Sequence, residues 1–291
     1  MFVVAGVSGH TGRVVAETLL ERKQPVRVVV RDRAKGSSWE SRGAEVAVAS
    51  LEDAAASARA FQGAQGAYVL IPPRYQAEDP IAAQRPVVDA VAQAVKQSGI
   101  PHVVLLSSIG AQHATGTGPV RTLHYAEQAI GKAAKNITVL RAAYFLENWA
   151  AALGEAQTNG VLYSFVTPGR ALPMVATHDI GRVAAEALLD PARGTRIIEL
   201  VGPRDWTPED VARELAEVLG RDVRVQGLPL EAMVPAFTAA GMSAGTVKLF
   251  QEMTDAINHG RMEREGGRAE LRRGTLGPRE AFRALVAHTA A

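Results

Sequence analysis

The chain has 291 residues, of which 47% are hydrophobic and 21% are charged, and its formal net charge is +2. This composition is typical of a globular protein, and the near balance of charge argues against nucleic acid as a partner. The sequence contains no cysteine, which excludes disulfides, cysteine nucleophiles and cysteine-bound metals.

The distribution of residues along the chain excludes other classes. No run of about 18 or more apolar residues is present, so neither a transmembrane helix nor a membrane partner is expected. The first residues read as a buried strand and lack the charged start and cleavage site of a signal peptide, so we expect a cytoplasmic protein. The seven histidines are scattered, with no pair four residues apart, and no metal site is predicted.

The N-terminal stretch carries a glycine pattern that predicts dinucleotide binding. An apolar strand from Phe2 to Ala5 runs directly into Gly6-x-x-Gly9-x-x-Gly12, and a helical pattern follows from Arg13. We expect Gly6 to allow the tight turn, Gly9 to let a pyrophosphate approach the backbone, and Gly12 to let the helix pack on the sheet. The free N–H groups at the helix start favour the phosphate charge. The predicted cofactor contacts here are Gly6, Ser8, Gly9, His10, Thr11, Gly12 and Arg13.

The end of the second predicted strand bears on the choice of cofactor. This strand runs from Val26 to Val30 and completes a βαβ unit, at the point where such folds meet the adenosine ribose. A carboxylate there suits the free hydroxyls of NAD, whereas an arginine suits the 2′-phosphate of NADP. Because Arg31 occupies this position and Lys35 follows, we expect NADPH to be preferred over NADH. Asp32 keeps NAD open, and a solvated basic loop is the alternative interpretation.

Strands and helices continue to alternate, which predicts a doubly wound parallel sheet of the Rossmann type with a smaller C-terminal α+β lobe. Further strands are predicted at 45–48, 67–71, 102–106, 138–141 and 196–201, and helices at 51–61, 87–98, 122–134 and 180–189.

Two strand ends in this half supply candidate cofactor contacts. The fourth strand stops at paired prolines, which places Leu70, Ile71 and Pro72 at the carboxyl edge where ligands bind. Ser107 ends the fifth strand and is a candidate contact for nicotinamide or substrate, although serines at strand ends also simply form turns. The polar residues 110–120 after it are predicted to form a loop near the site.

The second half of the chain gives local predictions. A β-hairpin is expected over 161–173, and Thr177 or Asp179 is expected to cap the helix that begins at Ile180. Thr207 followed by Pro208 predicts a helix start, with that helix ending at Gly220 and a strand following at 223–226.

The C-terminal part contains two segments of uncertain role. Residues 230–259 are predicted to be helical with breaks at Gly241 and Gly245, and their Met and Phe residues are either plain core or the wall of an apolar pocket. Residues 261–274, with five arginines and three glutamates, are predicted to form a solvated loop. We expect an NAD(P)-binding domain at 1–150 that also includes 175–202, and a substrate lobe at 151–174 and 203–291.

Together these features resemble the NmrA-like family, the atypical short-chain dehydrogenases. The motifs that carry the resemblance are Gly6-x-Ser8-Gly9-x-Thr11-Gly12-Arg13, Leu105-Leu106-Ser107-Ser108, His124-Tyr-Ala-Glu127-Gln, Leu140-Arg141-x-x-Tyr144-Phe145-x-Glu147-Asn148, His178-Asp179-Ile180-Gly181 and Val201-Gly202-Pro203. The resemblance implies a Rossmann domain, a smaller lobe with a cleft between the two, and NAD(P) binding. Members of the family include NADPH-dependent quinone reductases and redox-sensing regulators without evident turnover.

The catalytic residues are less clear. Dehydrogenases of this class use a tyrosine whose pKa is lowered by a lysine four residues later, but Tyr125 is followed at that spacing by Ala129. His124 is the best candidate for the proton donor, because the resemblance places a basic residue there and imidazole titrates near neutral pH. A plain surface histidine is the alternative. Glu127, one turn further on, is expected either to orient His124 or merely to support the helix.

Tyr144 and Phe145 follow the sixth strand and are expected to form the nicotinamide-side wall, with Tyr144 as a second candidate catalytic residue. Aromatic packing is the alternative for both. Quinone reduction needs little acid assistance, since the hydroquinone anion is stable. We therefore predict an NADPH-dependent oxidoreductase, monomeric or homodimeric, that reduces a quinone-like or other small apolar acceptor. A non-catalytic redox sensor that binds NAD(P) and a protein partner is the alternative, and a 230–253 segment lining a pocket would favour the enzyme.

Overall fold

The computed structural model describes residues 1–289. Its strands are β1 (Phe2–Ala5), β2 (Val26–Val30), β3 (Glu45–Val48), β4 (Gly66–Val69), β5 (Val103–Ser108), β6 (Ile137–Ala142), β7 (Tyr144–Phe145), β8 (Val161–Ser164), β9 (Leu172–Val175), β10 (Thr195–Val201), β11 (Asp205–Trp206), β12 (Arg224–Gly227) and β13 (Glu270–Arg273). Its α-helices are α1 (His10–Glu21), α2 (Ser37–Glu40), α3 (Ala54–Phe61), α4 (Pro80–Ser98), α5 (Arg121–Ala133), α6 (Leu153–Asn159), α7 (Thr177–Leu189), α8 (Pro208–Leu219), α9 (Met233–Ala239), α10 (Ala244–Asn258) and α11 (Pro278–Thr289). Short 3-10 helices lie at 33–36, 118–120, 146–152 and 230–232.

The central sheet has eight strands in the order β3-β2-β1-β4-β5-β6-β10-β13, and every neighbouring pair is parallel. Its first six strands follow the Rossmann order, so the predicted fold class is confirmed. The order reverses between β1 and β4. In open α/β sheets a ligand binds in the crevice at this point, outside the carboxyl ends of the strands.

Hydrophobic residues bury both faces of the sheet and build a separate core in the second lobe. Helices α1 and α7 pack on one face through side chains such as Leu19 and Ile180. Helices α3, α4 and α5 pack on the other face through residues such as Phe61 and Ile130. The third core, which includes Phe282, lies among segments from the second half of the chain. Strands buried on both faces explain the continuous apolar runs of the sequence.

Helices α1 and α4 start earlier than the sequence pattern predicts. Helix α1 begins at His10 instead of Arg13, because the extended backbone of Gly9 ends the turn. Helix α4 begins at Pro80, seven residues before the predicted start, because the Asp79 carboxylate accepts a hydrogen bond from the Ala82 N–H at 3.0 Å.

The hairpin predicted over 161–173 is wrong. Strand β8 pairs in parallel with β12, whereas β9 pairs with β7 and β11. The connection between them is held by Asn258, whose side chain accepts a hydrogen bond from the Thr167 N–H and donates one to the Phe165 carbonyl, each at 3.0 Å. These bonds direct β8 and β9 to different partners.

The cap predicted for α7 is also wrong. The helix begins at Thr177, whose N–H donates to the Glu147 carboxylate at 2.9 Å, so the cap comes from a distant segment. Asp179 is instead buried and accepts hydrogen bonds from the N–H groups of Thr275 and Leu276 at 2.8 and 2.9 Å. By contrast, Thr207 caps α8 as predicted, in a capping box, and that helix ends at Gly220.

Two predictions for the C-terminal part need correction. Gly241 has a positive φ and separates α9 from α10, but Gly245 lies inside α10. A Cβ at Gly245 would lie 1.9 Å from the Glu78 carbonyl oxygen, so this glycine serves close packing and not a break. Within the predicted solvated loop, residues 270–273 form the edge strand β13, because the Arg272 and Arg196 side chains find carboxylate partners in Glu186 and Glu270.

Candidate functional site

The glycine turn after β1 has the geometry of a phosphate cradle. Gly6 has a φ of +72°, in the region that favours glycine. A Cβ at Gly12 would lie 2.4 Å from the Gly6 carbonyl oxygen, so only glycine lets the helix approach the turn so closely. At Gly9, by contrast, the only neighbour of an added Cβ is that same oxygen at 3.4 Å, and Gly9 is exposed. The space over Gly9 is therefore open to a ligand.

The start of α1 presents unpaired donors to this space. The Arg13 N–H donates to the Gly9 carbonyl at 3.2 Å, and the N–H groups before it in the helix have no carbonyl of an earlier turn to bind. Ser8 and His10 are exposed beside them. A diphosphate suits these donors and the positive end of the helix dipole, so the residues present fit a dinucleotide.

The end of β2 leaves two cations available. Arg31 and Lys35 are exposed and make no ion pair within residues 1–289, whereas Arg33 pairs with Glu40 at 2.6 Å. The Asp32 carboxylate accepts a hydrogen bond from the Ala34 N–H at 3.0 Å and caps the 3-10 helix. The Asp32 carboxylate therefore serves to cap the 3-10 helix. The side chains left without an ion pair at this strand end, Arg31 and Lys35, are both positively charged.

A cavity of about 410 Å³ lies between the carboxyl ends of the sheet strands and the second lobe. Its sheet side includes the predicted contacts Thr11, Leu70, Ile71, Ser107, Tyr144 and Phe145. Its lobe side includes Leu172, Phe250, Met253, Ile257 and Met262. Part of the 230–259 segment therefore lines the cavity, an arrangement that favours the enzyme prediction, while Met233 is buried in α9 outside the lining. Pro72 is likewise outside the lining, and its neighbour Pro73 takes that place.

Tyr144 lines this cavity but is a weak acid there. Burial raises the pKa of Tyr144 to about 12, and a hydrogen bond from Asn148 only partly opposes that effect. Its ring meets Trp149 edge-on, with the centroids 6.4 Å apart. A phenol with this pKa gives up its proton reluctantly near neutral pH.

His124 lies outside the cavity lining, and both of its ring nitrogens are engaged. Nδ1 lies 2.8 Å from the Ala111 carbonyl oxygen and must donate to it, because a carbonyl only accepts. Nε2 lies 2.8 Å from Nε2 of Gln128, an amide donor, and therefore accepts. The imidazole therefore donates from Nδ1 and accepts at Nε2, and it ties α5 to the loop before it.

Glu127 does not orient His124, contrary to one of the two expected roles. Its carboxylate accepts two hydrogen bonds from Arg141, at 2.9 and 2.7 Å, and a third from the Ser107 hydroxyl at 2.5 Å. Arg141 is only 4% exposed and also pairs with Glu265. Glu127 therefore fixes the Ser107 hydroxyl at the cavity wall.

Sequence reasoning missed this network and the charged residues Arg170 and Glu263 of the cavity lining. The two form an ion pair with an N–O distance of 2.6 Å. One signal was present: Arg141 ends an apolar strand, and a charge buried in a strand requires a charged partner. Its partners lie 14 and 124 residues away, which no local pattern reveals.

The fold and the glycine turn define a Rossmann dinucleotide-binding protein with a second lobe over the carboxyl edge of its sheet. Residues 1–267 match the model of the NmrA-like family. The chain therefore belongs to the NmrA-like family, which confirms the resemblance seen in its motifs.

Three similar proteins extend this result. The NAD(P)H azoreductase of Xenophilus azovorans is 26% identical over 261 residues, which cover 89% of this chain and 85% of that protein. The crystal structure of the NADPH-dependent quinone oxidoreductase of Escherichia coli with NADPH matches with a TM-score of 0.80 at 22% identity, over 100% of both chains. The triphenylmethane reductase of Citrobacter sp. with NADP(H) matches with a TM-score of 0.79 at 21% identity, over 97% of this chain and 99% of that one.

These matches support the predicted oxidoreductase class with a nicotinamide cofactor and a small-molecule substrate, and they do not favour the redox-sensor alternative. Among residues 1–289, no helix combines the length and apolar character needed to cross a membrane.

Proposed function

We propose that this protein is an NADPH-dependent reductase of quinone-like or other small, electron-poor, apolar acceptors. The observation that carries the proposal is the cavity beside the glycine turn, whose walls are mainly apolar and whose candidate acids are unsuited to proton transfer. Tyr144 has a raised pKa, and His124 lies outside the lining with both nitrogens engaged. A cavity whose side chains are poor proton donors favours an acceptor that needs no proton in the hydride-transfer step.

The cofactor supplies a hydride to the acceptor when it is bound. The chain's own residues would hold the reactants: the N–H groups at the start of α1 would bind phosphate, and Leu70, Ile71 and Phe145, which line the cavity, would contact the rings. The apolar lobe residues exclude water from the cavity. The Ser107 hydroxyl already donates to Glu127, so its remaining capacity toward the cavity is that of an acceptor.

The names of the three similar proteins agree with this acceptor class. Azo compounds, quinones and triphenylmethane dyes are all conjugated systems, and of these the quinones and the cationic triphenylmethane dyes accept a hydride without an acidic proton donor. We extend that property to this chain, with residues 151–174 and 203–291 as its substrate lobe.

The preference for NADPH over NADH is part of the proposal and rests on Arg31 and Lys35. Titration of the purified protein with each cofactor tests it. We expect Arg31→Ala to weaken NADPH binding about tenfold and to leave NADH binding unchanged, since only NADPH carries the 2′-phosphate. Arg33→Ala is the matched control, because Arg33 is already paired with Glu40. Equal affinities for NADPH and NADH that Arg31→Ala does not change would refute the preference.

Turnover tests the reductase itself. The protein is mixed with NADPH and a panel of benzoquinones and naphthoquinones, and cofactor oxidation is followed by absorbance. We expect quinone-dependent oxidation, and none with simple aliphatic ketones, which require an acid. Absence of turnover across the whole quinone panel would overturn the proposal.

A further inference from the structure

Two aromatic side chains from different parts of the fold meet at the wall of the cavity. Tyr75, in the loop between β4 and α4, and Phe250, in α10, both line the cavity. Their ring centroids lie 6.0 Å apart, with the rings tilted by 49°. Tyr75 is 45% exposed, and the wall that Leu70 and Ile71 form at the end of β4 continues along the same loop to it. The Tyr75 ring is therefore available to a ligand in the cavity.

The ring of Phe250 is supported by further aromatic contacts outside the cavity lining. Phe237 meets it with the centroids 5.4 Å apart and an angle of 87° between the rings. Phe165 in turn meets Phe237 at 5.8 Å and 84°. Edge-on pairs of this kind are favourable, so they hold the Phe250 ring in place. Of these three phenylalanines, only Phe250 lines the cavity.

The start of α10 holds the loop that carries Tyr75. The Tyr75 carbonyl accepts hydrogen bonds from the Ser243 N–H at 2.9 Å and from the Thr246 hydroxyl at 2.8 Å. The Ser243 hydroxyl donates to the Ala77 carbonyl at 2.6 Å. Phe250 lies one helical turn beyond Thr246, so the same helix that presents one ring also fixes the backbone of the other.

The chemistry of this wall favours a flat aromatic ring. Desolvation raises the pKa of Tyr75, so its hydroxyl keeps its proton at neutral pH and the ring carries no charge. Aromatic rings gain more from an offset or edge-on contact with another aromatic ring than burial of the same area supplies. A saturated ring gains the burial alone. Tyr75 and Phe250 together can therefore distinguish an aromatic ring from a saturated ring of the same size.

We infer that Tyr75 and Phe250 are specificity-determining residues that bind an aromatic ring fused to the reacting ring of the acceptor. Ser243 and Thr246 are positioning residues, because they act through the backbone of the loop. The inference rests on the proposed function for the presence of a reacting ring, and it narrows the acceptors to fused aromatic compounds such as naphthoquinones. Binding of the aromatic ring is testable without turnover.

Calorimetry with two neutral probes, 2-naphthamide and its saturated counterpart decahydro-2-naphthamide, tests the site in the protein saturated with NADP⁺. We expect 2-naphthamide to bind about tenfold more tightly than the saturated amide, and Tyr75→Leu and Phe250→Leu each to lower this ratio about threefold. Tyr75→Phe keeps the ring and should keep the ratio. Phe165→Leu is the matched control, because Phe165 lies outside the lining and does not touch Phe250.

The saturated amide separates loss of the aromatic contact from damage to the cavity. Equal binding of the two probes to the wild-type protein would overturn the inference. A ratio that Tyr75→Leu and Phe250→Leu leave at its wild-type value would also overturn it, whether or not both probes bind more weakly.

The positioning role has its own variant. Thr246→Val removes the hydroxyl that holds the Tyr75 carbonyl and keeps the shape of the side chain, so we expect it to lower the probe ratio about twofold. Thr254→Val is the matched control, because Thr254 is a buried threonine of the same helix outside the lining. The same probe ratio in the two variants would refute the positioning role.

A turnover arm distinguishes this inference from the proposed function. 1,4-Naphthoquinone and 5,6,7,8-tetrahydro-1,4-naphthoquinone, which differ in the aromaticity of the second ring, are compared as acceptors with NADPH. We expect Phe250→Leu to raise the KM for naphthoquinone several-fold more than the KM for the tetrahydro compound. If neither quinone turns over but the probe ratio responds as expected, the proposed function fails and the aromatic site stands. If both turn over and Phe250→Leu changes the two KM values by the same factor, the reductase stands and the aromatic site fails.

Discussion

The buried His102 makes the stability of this protein depend on pH in a defined window. It precedes β5, is 1% exposed, and places Nε2 3.0 Å from the Thr138 hydroxyl, while Nδ1 has no hydrogen-bond partner within residues 1–289. Burial lowers the pKa of His102 to about 4, and the nearby charge of Arg196 lowers it further against the opposing effect of Asp190. The folded protein thus holds this imidazole neutral.

The size of this pH effect on stability follows from the difference between the pKa of His102 in the folded state and its pKa in the unfolded state. In the unfolded chain the pKa of His102 is near 6.5, against about 4 in the fold. Each tenfold change in proton affinity corresponds to about 1.4 kcal/mol, so protonation costs the fold about 3 kcal/mol. Because the folded pKa is the lower one, this stability is fully present above pH 6.5. It is lost progressively as the pH falls from 6.5 to about 4.

Urea unfolding of the wild type and of His102→Gln across this range measures the effect. We expect the free energy of unfolding of the wild type to fall by about 3 kcal/mol more than that of His102→Gln between about pH 7 and pH 4. Asp210 does not interfere, because Arg204 lowers the pKa of that carboxyl to about 2 and its contribution is lost only below pH 4. Replacement of the exposed His259 by Gln is the control. Parallel curves for the wild type and His102→Gln would refute the reasoning.

Four further substitutions test the site. Gly12→Ala should lower the free energy of unfolding by about 3 kcal/mol, measured by chemical denaturation, because the new Cβ would lie 2.4 Å from a backbone oxygen. Gly9→Ala should fold normally and lose cofactor binding in a fluorescence titration; loss of folding there would contradict the open cradle. Glu127→Ala should destabilise the fold by about 3 kcal/mol in thermal unfolding, because it removes two bonds from the buried Arg141. His124→Asn should retain quinone turnover with an unchanged pH–rate profile, and a loss of a hundredfold or more in kcat would restore His124 as the proton donor.

Seven of the eight strands of the central sheet, all but β13, were predictable because their information is local. The strands from β1 to β6 are mostly apolar runs, interrupted by polar residues such as Arg27 and Arg141, and such runs need no knowledge of a partner. The signals for the helix start at Thr207 lie within four residues of sequence, and this start was predicted correctly. The cap of helix α7 was predicted wrongly because its information is not local: the group that accepts from the Thr177 N–H is the Glu147 carboxylate, 30 residues away.

The site was only partly predictable because its lining comes from segments far apart in the chain. The strand ends supplied Leu70, Ile71 and Ser107, since the carboxyl edge of a parallel sheet is a fixed position. The lobe side of the cavity was expected only as one of two alternatives, since a helix rich in Met and Phe has the same pattern in a core and at a pocket. Arg170 and Glu263 meet across 93 residues, and only the fold brings them together.

The sequence has no tyrosine–lysine pair at the usual spacing. This absence does not exclude reduction in the cavity, but it restricts the class of compounds that can accept the hydride there. Ser107 is committed as a donor to Glu127, and the half-buried Tyr144 holds its proton with a pKa of about 12. The product of hydride transfer must therefore either be stable as an anion until it reaches water or be formed as a neutral molecule. Quinones meet the first condition and cationic conjugated dyes the second, whereas ketones meet neither. The same side chains that deny proton transfer thus define which acceptors the cavity can serve.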